Sequence, residues 1–567
     1  MPQDYEVPAF HLLATENKAM KWDYFVRHFT SPEQQAAHAR GVPTDAGPRV
    51  LYPRAGTLGG CTAHNAMIFL APHNSDWEHI ARITDDPSWS PDAMRTIFAD
   101  LENCHHRPLH RPMGLLGVSP SRHGWHGWLH VEKSVPNEAV GDPAIVRSIL
   151  HAAWQAARAS GQPLGTLARA IDTQLDPNDW ELLCDNQVGL CYAPLTTHKH
   201  HRIGTRERLL DVQARYPERL VIVTDALATE IIFDESKHAV GVRYREGARL
   251  YRAFDPPSGH AGLEREIRAS REVIVSGGTF STPQLLMLSG IGPAETLAKF
   301  GISVRSELPV GKNLQDRYEV AVVSRMKQNW RALDGVDFRK GDGAYQKWAS
   351  GKNGVYGTNG AIIAVTLKSA LRRNRPDSDK LPPDLICLAL LGDFRGYQPG
   401  HSANVRTERN SLTWCVLKAH TNNTAGEVSL LSKDPLMRPS VNFNYFEDGS
   451  DASGEDLEAV VDGIQFVRRL SAEIPGIKEE VHPGPSKASE DDLRHFVRTN
   501  AWGHHASCTC PIGTVLDGDF RVKGVTGLRV VDASVFPRIP GIFIVSAVYM
   551  IAEKAAAVIH RSAQAST

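Results

Sequence analysis

Two adjacent histidines, His504 and His505, lead into Cys508-Thr509-Cys510, and a β-branched stretch further on ends in Asp532 and Ala533. Imidazole near its ordinary pKa can take a proton from a substrate hydroxyl, so the pair is a candidate acid–base site. Metal binding is the competing use of these residues. Zinc sites usually separate their cysteines by two or more residues and add distant ligands, so the tight Cys-x-Cys argues against one and no metal is expected. Two glycine clusters would let backbone approach a ligand closely. Gly56, Gly59 and Gly60 precede Thr62, His64 and Asn65, and Gly277-Gly278 follow Val273–Val275. A glycine turn between strand and helix presents free N–H groups and a positive dipole end to a phosphate or a cofactor edge. Together these features suggest proton transfer beside a bound cofactor.

These residues need elements to hold them. Val548, Ile551, Ala552 and Ala555 recur at three- and four-residue steps, which predicts a helix with that face buried, after a turn at Pro540 and Gly541. Val273–Val275 predicts a strand, with Ser281 and Thr282 as caps of the next helix and Pro283 in its first turn. LVIVTDALATEIIF and AVGVRY predict two strands. TNGAIIAVTLK, DLICLALLG, SLTWCVLKAH and GEVSLLS predict a mostly antiparallel sheet, and DLEAVVDGIQFVRRL an amphipathic helix. A second such helix starts near Asp142 and ends near Gly161. His105, His106, His110, His123 and His126 cluster in sequence, but without a helical i, i+4 pairing to an acid they read as solvated or capping.

Bulk properties set the limits. A chain of 567 residues divides into two or more compact units. The formal charge of −1 argues against nucleic acid or an anionic membrane as the main partner. No apolar run is long enough to span a bilayer, and MPQDYEVPAFHLL lacks a basic, apolar leader pattern. Eight cysteines are too sparse for a disulfide scaffold and are read as reduced, so a cytoplasmic protein is expected.

Three ordered blocks carry a resemblance. REVIVSGGTFSTPQLLMLSGIGP, LRVVDASVFP and MIAEKAA are close to the signatures of the glucose–methanol–choline (GMC) family of flavin-dependent alcohol oxidoreductases, and His505 falls in register with the family's histidine. The resemblance implies an α/β (α+β) fold: a Rossmann-like FAD-binding domain with a substrate domain on a mostly antiparallel sheet. It implies FAD-binding segments at 1–135, 201–320 and 481–567, a cap segment at 136–200 and the substrate domain at 321–480. Gly59, Gly60, Thr62, His64, Asn65, Ala228, Gly278, Asp532 and Ala533 would line FAD. His64 stands where some members bond the flavin covalently. His505 would be the catalytic base for a small-molecule alcohol, with oxygen or a quinone as electron acceptor. Phe543 occupies the position of the family's second polar catalytic residue, which leaves His504 or Tyr549 as substitutes, and Arg317 replaces a usual histidine. The family's opening G-x-G-x-x-G does not occur in the sequence; the expectation is a chain that begins downstream of it. A cyanohydrin lyase on the same fold and a non-catalytic remnant are the alternatives.

Overall fold

The computed structural model describes residues 1–108, 110–134, 141–159, 173, 175–352 and 354–565. Its largest sheet has six antiparallel strands in the order Ile477–His482, Glu319–Met326, Ser411–Lys418, Leu385–Leu391, Ala361–Leu367 and Gly189–Cys191. The four central strands are apolar almost without alternation, because both faces are covered. Helices Pro143–Ala159 and Glu455–Ala472 pack on one face. Gly463 permits that approach, since a Cβ there would lie 2.4 Å from Val416 Cγ1. The opposite face, carrying Ile386, Leu388 and Leu390 on one strand and Cys415 and Leu417 on the next, looks into a cavity. The end of the helix predicted near Gly161 lies outside the described residues. The GEVSLLS strand is separate from this sheet: among the described residues, Glu427–Ser429 forms a two-stranded ladder with Ser440–Asn442.

A second region is built around the parallel strands Val273–Val275 and Leu528–Val530. The helix after the first of these runs Gly278–Leu288, so Ser281 and Thr282 lie inside it rather than capping it. Thr282 instead reaches back and accepts from Gly277 N at 3.0 Å. Pro283 sits mid-helix and cannot donate to Thr279 O; Thr509 Oγ1 donates to that carbonyl at 2.8 Å, which removes the cost of the missing bond. The C-terminal helix, Val545–Ala565, buries Ile551 and Ala555 as its spacing implies, but Val548 is only half-buried and Ala552 faces solvent because the buried face runs through Met550, Lys554 and Val558. Among the described residues no strand pairs with the free edge of Val273–Val275, and Ile274 is 46% exposed. Earlier in the chain, the predicted strand residues Val221 and Val223 pair with no strand among the described residues and are 78% and 60% exposed. Leu220–Thr224 therefore has strand composition but no ladder to join.

The side chains divide into two main cores. One contains the six-stranded sheet with Ala501, Trp502, Ala506 and Ile542; the other contains the parallel pair with Phe69, Cys508, Cys510 and the C-terminal helix. The 501–510 loop therefore crosses from one core to the other. No helix among the described residues is long and apolar enough to cross a membrane.

Candidate active site

His504 and His505 sit on that crossing, their rings 4.1 Å apart. Three separate segments fix the backbone beneath them. Asp316 Oδ1 accepts from His505 N at 2.8 Å, Tyr52 OH accepts from Ala506 N at 2.8 Å, and Tyr52 in turn donates to Asp316 Oδ2. Arg54 Nη1 donates to His504 O at 3.3 Å and reaches toward Cys61 Sγ in the first glycine turn. Thr279 Oγ1, one residue past Gly278, donates to Ala506 O at 2.8 Å. Both glycine turns are thus tied to the histidine loop, as a single site requires. Gly503 belongs to the same joint: a Cβ there would lie 2.2 Å from Asp316 Oδ2. Gly503→Ala is expected to displace Asp316 from under His505 and to lower kcat on an alcohol by about 10-fold or more, since small misplacements of a reacting group are costly; steady-state assay of the variant checks this.

Asp532 has an internal role. Its carboxylate accepts from Gly278 N (2.9 Å), Thr282 Oγ1 (2.6 Å) and Ser534 N (2.8 Å), locking the Gly278 turn to the end of Leu528–Val530. Ala533 O accepts from Cys508 N, so the histidine loop runs alongside residues 533–535. Bonds to an ionised carboxylate contribute about 1.5–3 kcal/mol each. Asp532→Ala should therefore destabilise the protein by about 3 kcal/mol or more, read as a lower denaturation midpoint in urea.

The first glycine turn is left-handed at Gly59 and Gly60 (φ +98° and +55°), and a Cβ at Gly60 or Gly278 would meet nothing within 4 Å. Open space borders both. Thr62 Oγ1 donates to Gly59 O and so closes the turn on itself, while Asn65 Oδ1 accepts from Arg202. His64 is 5% exposed and its Nδ1 is buried without a partner. Burial, with Arg54 and Arg202 nearby, lowers its pKa to about 3, so the ring is neutral. Ala228 is exposed on strand Ala226–Phe233.

His504 and Phe543 line the cavity of about 100 Å³ against the large sheet, with Leu388, Leu390, Phe394 and Tyr397 among its walls. Phe543 meets His505 edge-on, ring centroids 5.5 Å apart. Burial lowers the pKa of His504 to about 3 and that of His505 well below the usual value. Both rings are free bases at neutral pH. Glu319 Oε2 lies 3.4 Å from His504 Nδ1, and burial raises its pKa to about 8. Tyr549 is elsewhere: its ring packs on Trp128 and its hydroxyl faces Thr205 and Thr62, so it does not stand in for the missing polar group. Arg317 is fully buried, donates to Pro540 O at 2.6 Å and adds positive charge behind His505. Cys508 and Cys510 are buried separately as free thiols. Asp316, Tyr52, Arg54 and Arg202 escape a sequence reading because they come from distant segments with no shared spacing. Of the five clustered histidines, His106 and His123 are buried rather than solvated.

A GMC oxidoreductase N-terminal profile matches residues 34–319, and a GMC oxidoreductase C-terminal profile matches residues 422–552. The chain is 29% identical over 566 residues to an oxygen-dependent choline dehydrogenase of Yersinia pestis bv. Antiqua, covering 97% of this chain and 85% of the relative. It is 29% identical over 515 residues to the enzyme of that name from Chromohalobacter salexigens, covering 88% and 79%. The fold matches a solved formate oxidase with a TM-score of 0.77 at 22% identity, covering 99% of this chain and 91% of the other. A fungal aryl-alcohol oxidase matches with a TM-score of 0.66 at 19% identity, covering 96% and 90%.

Proposed function

For a chain that belongs to the GMC oxidoreductase family, and so is an FAD-dependent oxidoreductase acting on alcohol-type donors, we propose that His505 is the base that takes the substrate's hydroxyl proton. One observation carries this reading: a neutral imidazole, on a loop whose backbone is fixed by Asp316 and Tyr52 and tied to both glycine turns, stands against His504 and Phe543, which line the apolar cavity. The residues present fit the ring end of FAD. Gly60 and Gly278 border open space, and His64 and Arg202 each hold a buried nitrogen without a partner. Gly59, Gly60, Thr62, His64, Asn65 and Gly278 would cradle that end, with Asp532 and Ala533 bracing the second turn. His64, neutral and with a free ring nitrogen, is the residue suited to a covalent link. Among the described residues the other edge of Val273–Val275 stays unpaired. Ala228, on the exposed strand nearby, suits the adenine.

Bound FAD would accept the hydride from the alcohol carbon. The chain does the rest. The apolar sheet face binds the substrate's carbon skeleton and excludes water. His505 takes the hydroxyl proton, and His504, beside Glu319, supplies the polar contact that Phe543 cannot make. Glu319 is the one acid among the described lining residues, and burial keeps it protonated at neutral pH. The cavity therefore favours an uncharged primary alcohol over choline.

The experiment is steady-state turnover of the FAD-loaded protein on aliphatic and aryl primary alcohols and on choline, with oxygen or a quinone as acceptor. An uncharged primary alcohol should give the highest kcat/KM. Preference for choline, suppressed by Glu319→Gln, would overturn the substrate assignment. A yellow protein that no alcohol bleaches would overturn the oxidation itself and favour lyase chemistry.

A further inference from the structure

Away from the histidine loop, a second group of chemically capable side chains is sealed inside the molecule. Glu102 and Cys104 are fully buried, His106 is 2% exposed and His123 is 3% exposed. One potential ligand atom from each lies within 4.8 Å of all the others. The backbone explains the gathering. Glu102 and Cys104 are alternate residues of strand Glu102–Cys104 and so share a face, and His106 follows two residues later. His123 comes from the loop ahead of Leu129–Lys133, the strand that pairs in parallel with Glu102–Cys104. Glu102 and His106 are four residues apart, but on a strand and the loop after it rather than on a helix, and His123 comes from a distant loop.

We propose that Glu102, Cys104, His106 and His123 form a closed structural site for a divalent transition metal, zinc by its donor set. Sulfur, imidazole and carboxylate donors are the ligands zinc takes, and complete enclosure by protein side chains is characteristic of a structural rather than a catalytic site. Three further observations support the assignment. Glu102 Oε1 and His106 Nε2 are buried 3.5 Å apart without a hydrogen-bond partner, and the Cys104 thiol is free. Each histidine has its other nitrogen held from outside the cluster, His106 Nδ1 by Tyr192 OH at 2.7 Å and His123 Nε2 by Asp176 Oδ2 at 2.8 Å; the inward His123 Nδ1 lies 2.8 Å from Glu102 Oε2, a contact that an ion between the two would replace. That is how metal-bound imidazoles are oriented, one nitrogen on the ion and the other on a hydroxyl, carbonyl or carboxylate. Gly124 N also donates to Glu102 Oε2 at 3.1 Å, which fixes the carboxylate. Ligand atoms about 2.0–2.3 Å from a tetrahedral ion are about 3.3–3.8 Å apart, so the cluster closes on a metal by side-chain shifts of about 1 Å. Binding releases to solvent the Cys104 thiol proton and the proton held between His123 Nδ1 and Glu102 Oε2, and changes no oxidation state. The ion would join the 102–104 strand to the 123–131 segment.

The test is elemental analysis of tag-free protein grown with zinc and dialysed, paired with cobalt(II) replacement. About one zinc per chain, with a cobalt–thiolate absorption band, is expected. Cys104→Ser and His106→Gln should each abolish the band and lower zinc content at least 10-fold. A wild-type protein that folds without zinc and gives no thiolate band overturns the site. Equal zinc in wild type and both variants identifies an adventitious ion only and overturns it as well. Should a variant be insoluble, chelator treatment of the wild type decides: a lowered Tm restored by added zinc supports the site, and an unchanged Tm contradicts it.

Discussion

Replacing His505 with alanine is expected to slow reduction of the bound flavin by an alcohol by about 10²–10⁴-fold, the range a positioned general base contributes. The argument rests on what the substitution leaves behind. The loop is held through its backbone, by Asp316 on His505 N, Tyr52 on Ala506 N and Thr279 on Ala506 O. None of these bonds needs the imidazole, whose Nδ1 has no partner. Fold and flavin content should therefore survive while the proton acceptor disappears. His504, the neighbouring free base, faces Glu319 and lines the cavity, so His504→Ala should cost less, about 10-fold. Rapid anaerobic mixing with alcohol, followed by flavin absorbance, gives both rates. Equal losses in the two variants would mean that the pair acts as a unit; a His505→Ala rate within about 3-fold of wild type would remove His505 from the chemistry.

The second large effect is acid lability. His11, His64, His73 and His504 all have pKa values lowered to about 3, in each case chiefly by burial, with nearby cationic groups adding to it. In the unfolded chain each would return to about 6.5. Below that value the unfolded state binds protons that the folded state refuses. The stabilising contribution is thus complete above about pH 6.5 and is lost as pH falls toward the folded values. Each such histidine costs about 1.4 kcal/mol per pH unit in that window, and four cost about 5 kcal/mol per unit. Glu319 and Asp456, whose burial raises their pKa to about 8 and about 7, each return about 1.4, leaving about 3 kcal/mol per unit against a total stability of about 5–15 kcal/mol. Cooperative unfolding is expected between about pH 5 and 4. His11 Nε2 donates to Asn359 O, so His11→Asn can keep a polar contact while removing one titrating ring. That variant should have a shallower dependence of urea midpoint on pH. A midpoint flat from pH 7 to about pH 5 would contradict the burial of these rings.

The fold was legible in the sequence where a residue's job is local. Three of the four central strands, Ala361–Leu367, Leu385–Leu391 and Ser411–Lys418, follow from their continuous apolar runs, Val273–Val275 from its β-branched composition and the Glu455–Ala472 helix from its periodicity, whereas Glu319–Met326 is not among the predicted strands. His505 and both glycine turns were legible through ordered motifs. The misreadings share a cause: the partner was far away in the chain. Pro283 looked like a helix start because the bond it cannot make is replaced by Thr509. Residues 220–224 read as a strand, but strand composition without a neighbouring ladder stays extended and exposed. Asp532, expected from its position to line the cofactor, also accepts three bonds that tie the Gly278 turn to the strand end, and that role depends on residues far away in the chain. His106 and His123 read as solvated because sequence spacing cannot show that Tyr192 and Asp176 enclose them.

A crystal structure of the FAD-reconstituted protein would test the central claim most directly. The account predicts the isoalloxazine ring between the turns at Gly59–Gly60 and Gly278, with its reactive edge facing the His505 imidazole across the mouth of the apolar cavity. A flavin bound elsewhere, or a His505 ring turned away from it with another side chain in its place, would contradict the account.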